Sequence, residues 1–244
     1  MTLALSGGPS YDCAMAEPAT DVAGEDTAPI STGEQAYERI RADIVFGQLR
    51  PGQRLTLEKL RPVYGVGIGT LREILSRLTP EGLVTAEGQR GFQVAPCSAE
   101  DLQEIAALRL LIEKNALAQS FEAGGMEWEG RVVAAHYKLS RMEASLLRGD
   151  RSQLQQWKHY DWEFHQALVS ACGSKALLEL HSRLYDRYLR YQMVFGIFRG
   201  AIAADEHKLL LACALGRDAA EAQNVLERHV QGCIDFALDN RLLP

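Results

Sequence analysis

From Ser31 onward, apolar residues recur at helical spacing, and the breaks between periodic stretches divide the chain into a set of short elements followed by a set of long ones. Ser31 with Glu34 is a capping-box pattern. Ala36, Ile40 and Ile44 then share one face, which predicts a first helix to about Phe46, ended by Gly47 and Pro51-Gly52. Thr56 is placed to cap a short second helix, Leu57 to Tyr64, and Gly65 closes it at a distance suited to a tight helix-turn-helix connection. Leu71, Ile74, Leu75 and Leu78 form the buried stripe of a third helix. Gly69, Thr70, Arg72, Glu73, Ser76 and Arg77 are left to face outward, and Pro80 and Gly82 stop the helix. Leu83-Val-Thr-Ala and Phe92-Gln-Val94 read as two short strands around the turn-rich Glu87-Gly-Gln-Arg-Gly91.

Beyond Ser98, which with Asp101 makes a second capping box, the pattern changes to long helices. They are punctuated at Gly124-Gly125, Gly149-Asp150, Gly173-Ser174, a loop around Gly196 to Ala204, and Gly216-Arg-Asp218. The expected fold is mainly α. An N-terminal winged helix-turn-helix of three helices plus a β-hairpin covers 31–96, and an all-α antiparallel helical bundle of about six helices covers 97–244. In such a wing-bearing unit the third helix enters the DNA major groove and the hairpin touches the backbone or minor groove.

Charge sharpens this division. The 244-residue chain carries a net charge of −6, which taken whole argues weakly against a nucleic-acid partner. Residues 1–30 hold five acids and no Lys or Arg, with no helical or strand period, and are expected to be a disordered acidic tail. Residues 97–244 hold 17 basic and 20 acidic side chains, whereas 31–96 hold nine and seven, so only the winged segment has a positive balance. Five scattered cysteines without a C-x-x-C pair argue against a disulfide framework and a zinc ribbon. The longest apolar run, Leu209 to Leu215, is seven residues against the roughly 20 needed to span a bilayer. The N-terminus has no secretory pattern, so no membrane partner and a cytoplasmic location are expected.

The most informative chemistry is polar residues on apolar faces. Over about 150–172, Leu154, Trp157, Asp161, Phe164 and Leu168 recur at spacings of three and four, which places Asp161 in the seam and His165 one turn further on the same face. A buried carboxylate demands a cation, a donor or water. His207 precedes Leu210, Leu211 and Ala214 on one stripe, and His229 follows Ala222, Val225 and Leu226 on another. One carboxylate oxygen and three imidazole nitrogens suit a divalent transition metal ion such as zinc, nickel or manganese, so Asp161, His165, His207 and His229 are the expected ligand set. His136, His159 and His181 have no comparable seam partner and are expected to be surface or ordinary helix residues. Arg109, among Ile105, Ala106, Leu108, Leu111 and Ile112, is placed either to pair with Glu113 at i+4 or to clamp a ligand carboxylate.

Together, Arg50-Pro-Gly-Gln-Arg-Leu55, Leu71-Arg-Glu-Ile-Leu-Ser-Arg-Leu78, Glu81-Gly-Leu-Val84 and Arg90-Gly91 resemble the DNA-binding domain of a GntR-family transcription regulator. Asp161-Trp-Glu-Phe-His165, Glu206-His207 and Arg228-His229 resemble the FCD effector domain of the FadR subfamily. The resemblance implies a homodimer that reads an inverted-repeat operator in double-stranded DNA, and whose helical domain binds a small carboxylate effector at or near a metal. Position by position it implies DNA contacts from Arg54, Thr70, Arg72, Arg90 and Gly91, with Arg72 foremost at the bases. It implies metal ligation by Asp161, His165, His207 and His229, and an effector contact from Arg109. One departure stands out: the recognition helix opens with Gly67-Ile68-Gly69-Thr70 where many relatives have a Ser-Arg-Thr-Pro-like run, so a side-chain cap and one arginine are missing. Glycine is a tolerable N-cap, whereas a lost arginine contact is worth about 1–3 kcal/mol.

The leading expectation is a ligand-responsive transcription regulator, a repressor, and not an enzyme. The alternatives are a metal-responsive regulator, in which the ion is the signal, and a helical metalloenzyme. Against the last, neither a nucleophile pair nor a phosphate-binding glycine loop accompanies the four ligand types, and an enzyme leaves the winged segment unexplained.

Overall fold

Ser31 opens the described chain, and its hydroxyl accepts the Glu34 amide at 3.2 Å to start α1 (Thr32–Val45). The computed structural model describes residues 31–86, 88 and 91–243; the acidic segment 1–30 and Arg90 lie outside them. After α1 come β1 (Arg54–Leu55), α2 (Leu57–Tyr64), α3 (Ile68–Leu78), β2 (Val84–Ala86) and β3 (Phe92–Val94). The expected stripe of α3 is buried as a unit: Leu71, Ile74, Leu75 and Leu78 pack with Ile40 and Ile44 of α1 and with Leu60 and Tyr64 of α2. Tyr64 donates to Asp43 at 2.6 Å and ties α2 to α1.

Two local expectations are corrected. The wing is a three-stranded antiparallel sheet in the order β1-β3-β2, not a simple hairpin, because Arg54 and Leu55 pair with Gln93 and Phe92. Two residues are too few to show a strand period, so only the tertiary partner reveals β1. Thr56 occupies the N-cap position of α2 without a side-chain cap hydrogen bond. At α3 the N-cap is Gly67 in an extended conformation, likewise without a side-chain cap, and the helix forms on the strength of its buried face.

The long helices are α4 (Ala99–Ala123), α5 (Met126–Leu147), α6 (Leu154–Val169), α7 (Lys175–Phe195), α8 (Ala201–Gly216) and α9 (Ala219–Asp239). Side-chain caps from Ser98, Ser174 and Asp218 start α4, α7 and α9, and Gly196 in the left-handed region ends α7. In the bundle α4 lies against α7 and α9, α5 against α6 and α8, and α8 against α9. Leu102, Phe121, Trp128, Leu139, Trp157, Phe164, Leu210 and Leu226 fill its interior. None of the described helices is long and apolar enough to cross a membrane. From Ser31 onward the chain forms one contact unit, and α7 is the reason: its Tyr185 and Leu189 complete the apolar core of the winged segment.

Candidate metal centre

Four side chains from three helices meet in the bundle. Asp161 and His165 come from α6, His207 from α8 and His229 from α9, and all are buried, with at most 3% of their surface exposed. One ligand atom from each lies within 4.8 Å of the others. The imidazole centroids are 5.8 Å apart for His165 and His207, 5.4 Å for His165 and His229, and 4.7 Å for His207 and His229.

The ring orientations are set from behind. Nδ1 of His165 lies 2.6 Å from Glu113 of α4, Nδ1 of His207 lies 2.6 Å from Glu143 of α5, and Nδ1 of His229 lies 2.8 Å from Glu206 of α8. Oδ2 of Asp161 accepts from the Tyr185 hydroxyl at 2.7 Å and from Lys158 Nζ at 3.3 Å. The inward atoms are the complement of this set: Asp161 Oδ1, His165 Nε2 and His207 Nε2 are buried without a well-formed hydrogen bond, Asp161 Oδ1 and His207 Nε2 standing 3.3 Å apart. Orphaned buried polar atoms are costly, and a cation among them satisfies all of them together. The residues present therefore fit a divalent ion, and each imidazole already has the carboxylate that orients a metal-ligating ring.

Electrostatics point the same way. Burial raises the carboxyl of Asp161, but Lys158, His207 and His165 outweigh it and hold it well below the usual carboxylate range. Burial likewise opposes ionisation of Glu113, and Arg109, His165 and His181 overcome it. Glu206 is drawn down to about 2 against its burial by hydrogen bonds from His229 and Arg199. Burial lowers His165 despite the Glu113 carboxylate. It lowers His229 to about 3, with His207, His165 and Arg199 adding to the effect against Glu206. His207 behaves oppositely: burial disfavours its charge, but Asp161 and Glu143 push it up to about 9.

Arg109 makes the ion pair open to it at i+4. Its guanidinium pairs with Glu113 at 2.7 Å, approaches His165 Nδ1 at 3.2 Å, and is flanked by the rings of Tyr185 and Tyr188 at 4.3 and 4.5 Å. The expectation for His181 is corrected: it is fully buried, with Nε2 3.2 Å from Glu113 and Nδ1 3.2 Å from Gln166. Its surroundings, supplied by α4 and α6, are invisible in the periodicity of α7 alone. His159 is exposed and stacks on Trp162, and His136 is half-buried with its ring edge-on to Phe164. Sequence reasoning also missed Glu143, although it stands in line with Val132, Ala135, Leu139 and Leu146 and gives the same polar-in-seam signal as Asp161.

In the winged segment, Arg72 is exposed on α3, Thr70 is half-buried in its first turn, and Arg54 is exposed on β1. The Cγ2 of Thr70 sits 3.6 Å from where a Cβ on Gly33 would lie, which brings the start of α1 beside the start of α3. Gly91 has φ of +91°, a conformation open to glycine at the wing turn.

The family model for bacterial regulatory proteins of the gntR family matches residues 32–94, and the FCD domain model matches 104–232. The chain belongs to the GntR family. The regulator BphR of Paraburkholderia xenovorans is 37% identical over 212 residues, covering 86% of each chain. The transcriptional repressor GlaR of Escherichia coli is 33% identical over 206 residues, covering 82% of this chain and 92% of that protein. The fold is shared with Escherichia coli McbR/YncC, at a TM-score of 0.72 and 21% identity over 87% of this chain and 99% of that one. A GntR regulator from Rhodococcus gives 0.70 and 20%, over 85% of this chain and 97% of that one. The protein is accordingly a DNA-binding transcription regulator with an FCD domain, and the metalloenzyme alternative is set aside.

Proposed function

We propose that this GntR-family regulator is a homodimeric repressor in the cytoplasm. In this reading Asp161, His165, His207 and His229 hold a divalent transition metal, and a small carboxylate binding at that metal changes the affinity for an inverted-repeat operator. The carrying observation is the convergence of one ligand atom from each of the four side chains within 4.8 Å, with one glutamate behind each histidine. When bound, the ion supplies a Lewis-acidic position for an anionic ligand.

The charge balance supports an anion. Around the ligands, the carboxylates of Asp161, Glu113, Glu143 and Glu206 face the fixed cations Arg109, Lys158 and Arg199. This leaves one formal negative charge. A divalent ion among neutral imidazoles leaves one positive charge, which a monoanionic carboxylate neutralises. Arg109 acts here through Glu113 and His165, holding the ring that faces the ion.

On the DNA side the reading assigns Arg72 to base edges, and Arg54, Thr70, Arg90 and Gly91 to positioning on the backbone. Equilibrium dialysis against zinc, nickel and manganese, with metal content measured by mass spectrometry, tests the centre. One ion per chain in the wild type and none in His207→Ala is expected, and an equal metal content in both removes the site. A panel of small carboxylic acids screened by thermal shift on metal-loaded protein then tests the effector. Hits are expected to move operator affinity; acids that stabilise the protein without changing DNA binding refute the regulatory role.

A further inference from the structure

The strongest unassigned feature is a single side chain that belongs to both parts of the molecule. The Tyr185 hydroxyl donates to Asp161 Oδ2 at 2.7 Å, and its ring lies 5.4 Å from the His165 ring and 4.3 Å from the Arg109 guanidinium. The same ring, wholly buried, is packed with Leu189 into the apolar core formed by α1, α2 and α3. One residue on, Asp186 is bonded to Arg41 of α1, and Arg41 also pairs with Glu81 at 3.3 Å. Glu81 in turn accepts from the Tyr37 hydroxyl, and Arg77 of α3 lies 4.0 Å over the Tyr37 ring while pairing with Glu34 at 2.9 Å. An unbroken series of contacts therefore joins a metal ligand to the recognition helix, and α7 is its central member.

We infer that Tyr185 is the positioning residue through which occupancy of the metal centre is felt by the winged segment, with Asp186 as the link from α7 to α1. The inference rests on the metal reading above. An ion drawing on Asp161 Oδ1 acts on the same carboxylate whose Oδ2 holds Tyr185, so ligation changes the strength and direction of the Tyr185 hydrogen bond. The ring is enclosed in a close-packed core and cannot shift alone; its displacement is shared with Leu189 and the faces of α1 and α3. Coupling of this kind requires a contiguous set of groups with different free energies in the two states, and Tyr185 is where the two cores share a residue.

The test is amide hydrogen exchange of the full chain, with and without saturating zinc, on wild type, Tyr185→Phe and Asp186→Asn. Binding is monitored separately by competition with a chelating dye. In the wild type, zinc should slow exchange in α6, α8 and α9 and also, by at least about fivefold, in α1 and α3. Tyr185→Phe keeps the ring and removes the hydroxyl; it should bind zinc more weakly and, at saturating zinc, still protect the bundle while the α1 and α3 response disappears. Asp186→Asn leaves the centre untouched and should show the same loss with unchanged zinc affinity. A wild-type-sized α1 and α3 response in both variants, or none in the zinc-loaded wild type, overturns the inference and leaves the metal reading standing. Failure of the wild type to bind zinc, nickel or manganese in the dye competition removes both.

Discussion

Each ring in the candidate metal centre is held by a glutamate at Nδ1, and that small contact decides whether Nε2 points at its neighbours or elsewhere. Removing the charge while keeping the shape isolates the effect. Glu143→Gln should weaken metal binding by about 10–100-fold in a chelator competition, and an unchanged affinity would show that the His207 ring is held by packing alone. A second residue-scale prediction concerns Tyr37, whose phenol is pushed up to about 12 by burial and by Glu81. The folded state favours the neutral phenol, so this contribution is whole below pH about 10 and is lost as pH rises towards 12. Alkaline unfolding should therefore be shallower in Tyr37→Phe, as followed by circular dichroism between pH 9 and 12; identical curves would remove the assignment. Asp161, His165, His207 and His229 were legible because a polar residue in an apolar stripe is visible at helical spacing. The pairing of Glu113 with His165, and the partners Lys158 and Tyr185, were not, because their meaning depends on which helix faces which.

At the scale of elements, α3 is held by its buried stripe and begins on a glycine with no side-chain cap. A Cβ added at Gly67 meets nothing within 4 Å, and its φ of −67° suits any residue. Gly67→Ser should raise stability by a few tenths of a kcal/mol or more through a new cap bond and a less flexible unfolded chain, seen as a higher melting temperature. No gain would mean that the serine hydroxyl fails to reach the open amides of the first turn. The same element carries Arg72, whereas Arg54 is anchored in β1 against β3. Arg72→Ala should flatten discrimination among duplexes selected from a random pool. Arg54→Ala should weaken all of them alike and lower the salt dependence by about one phosphate contact. Helix positions were readable from period and caps, and α2 falls on Leu57–Tyr64 as its spacing predicts. β1 was not, since a two-residue strand exists only by virtue of β3.

For the whole molecule, a metal held only by the folded state would enter the folding equilibrium. Zinc at 100 times its dissociation constant should stabilise the protein by about 2.7 kcal/mol, a gain reversed by EDTA and absent in His207→Ala, measured by calorimetry. A wild-type melting temperature indifferent to both zinc and EDTA would contradict a metal bound by the folded state. The sequence by itself determined the mainly helical composition, the winged arrangement, the four candidate ligands and the family, because helical period, caps and turn residues act over a few neighbours and leave a local trace. Only the tertiary structure decided that the three histidines converge, that a glutamate stands behind each, that His181 is buried and that Tyr185 serves two cores at once. Those facts depend on the rotation and docking of helices distant along the chain, which no local pattern of residues encodes.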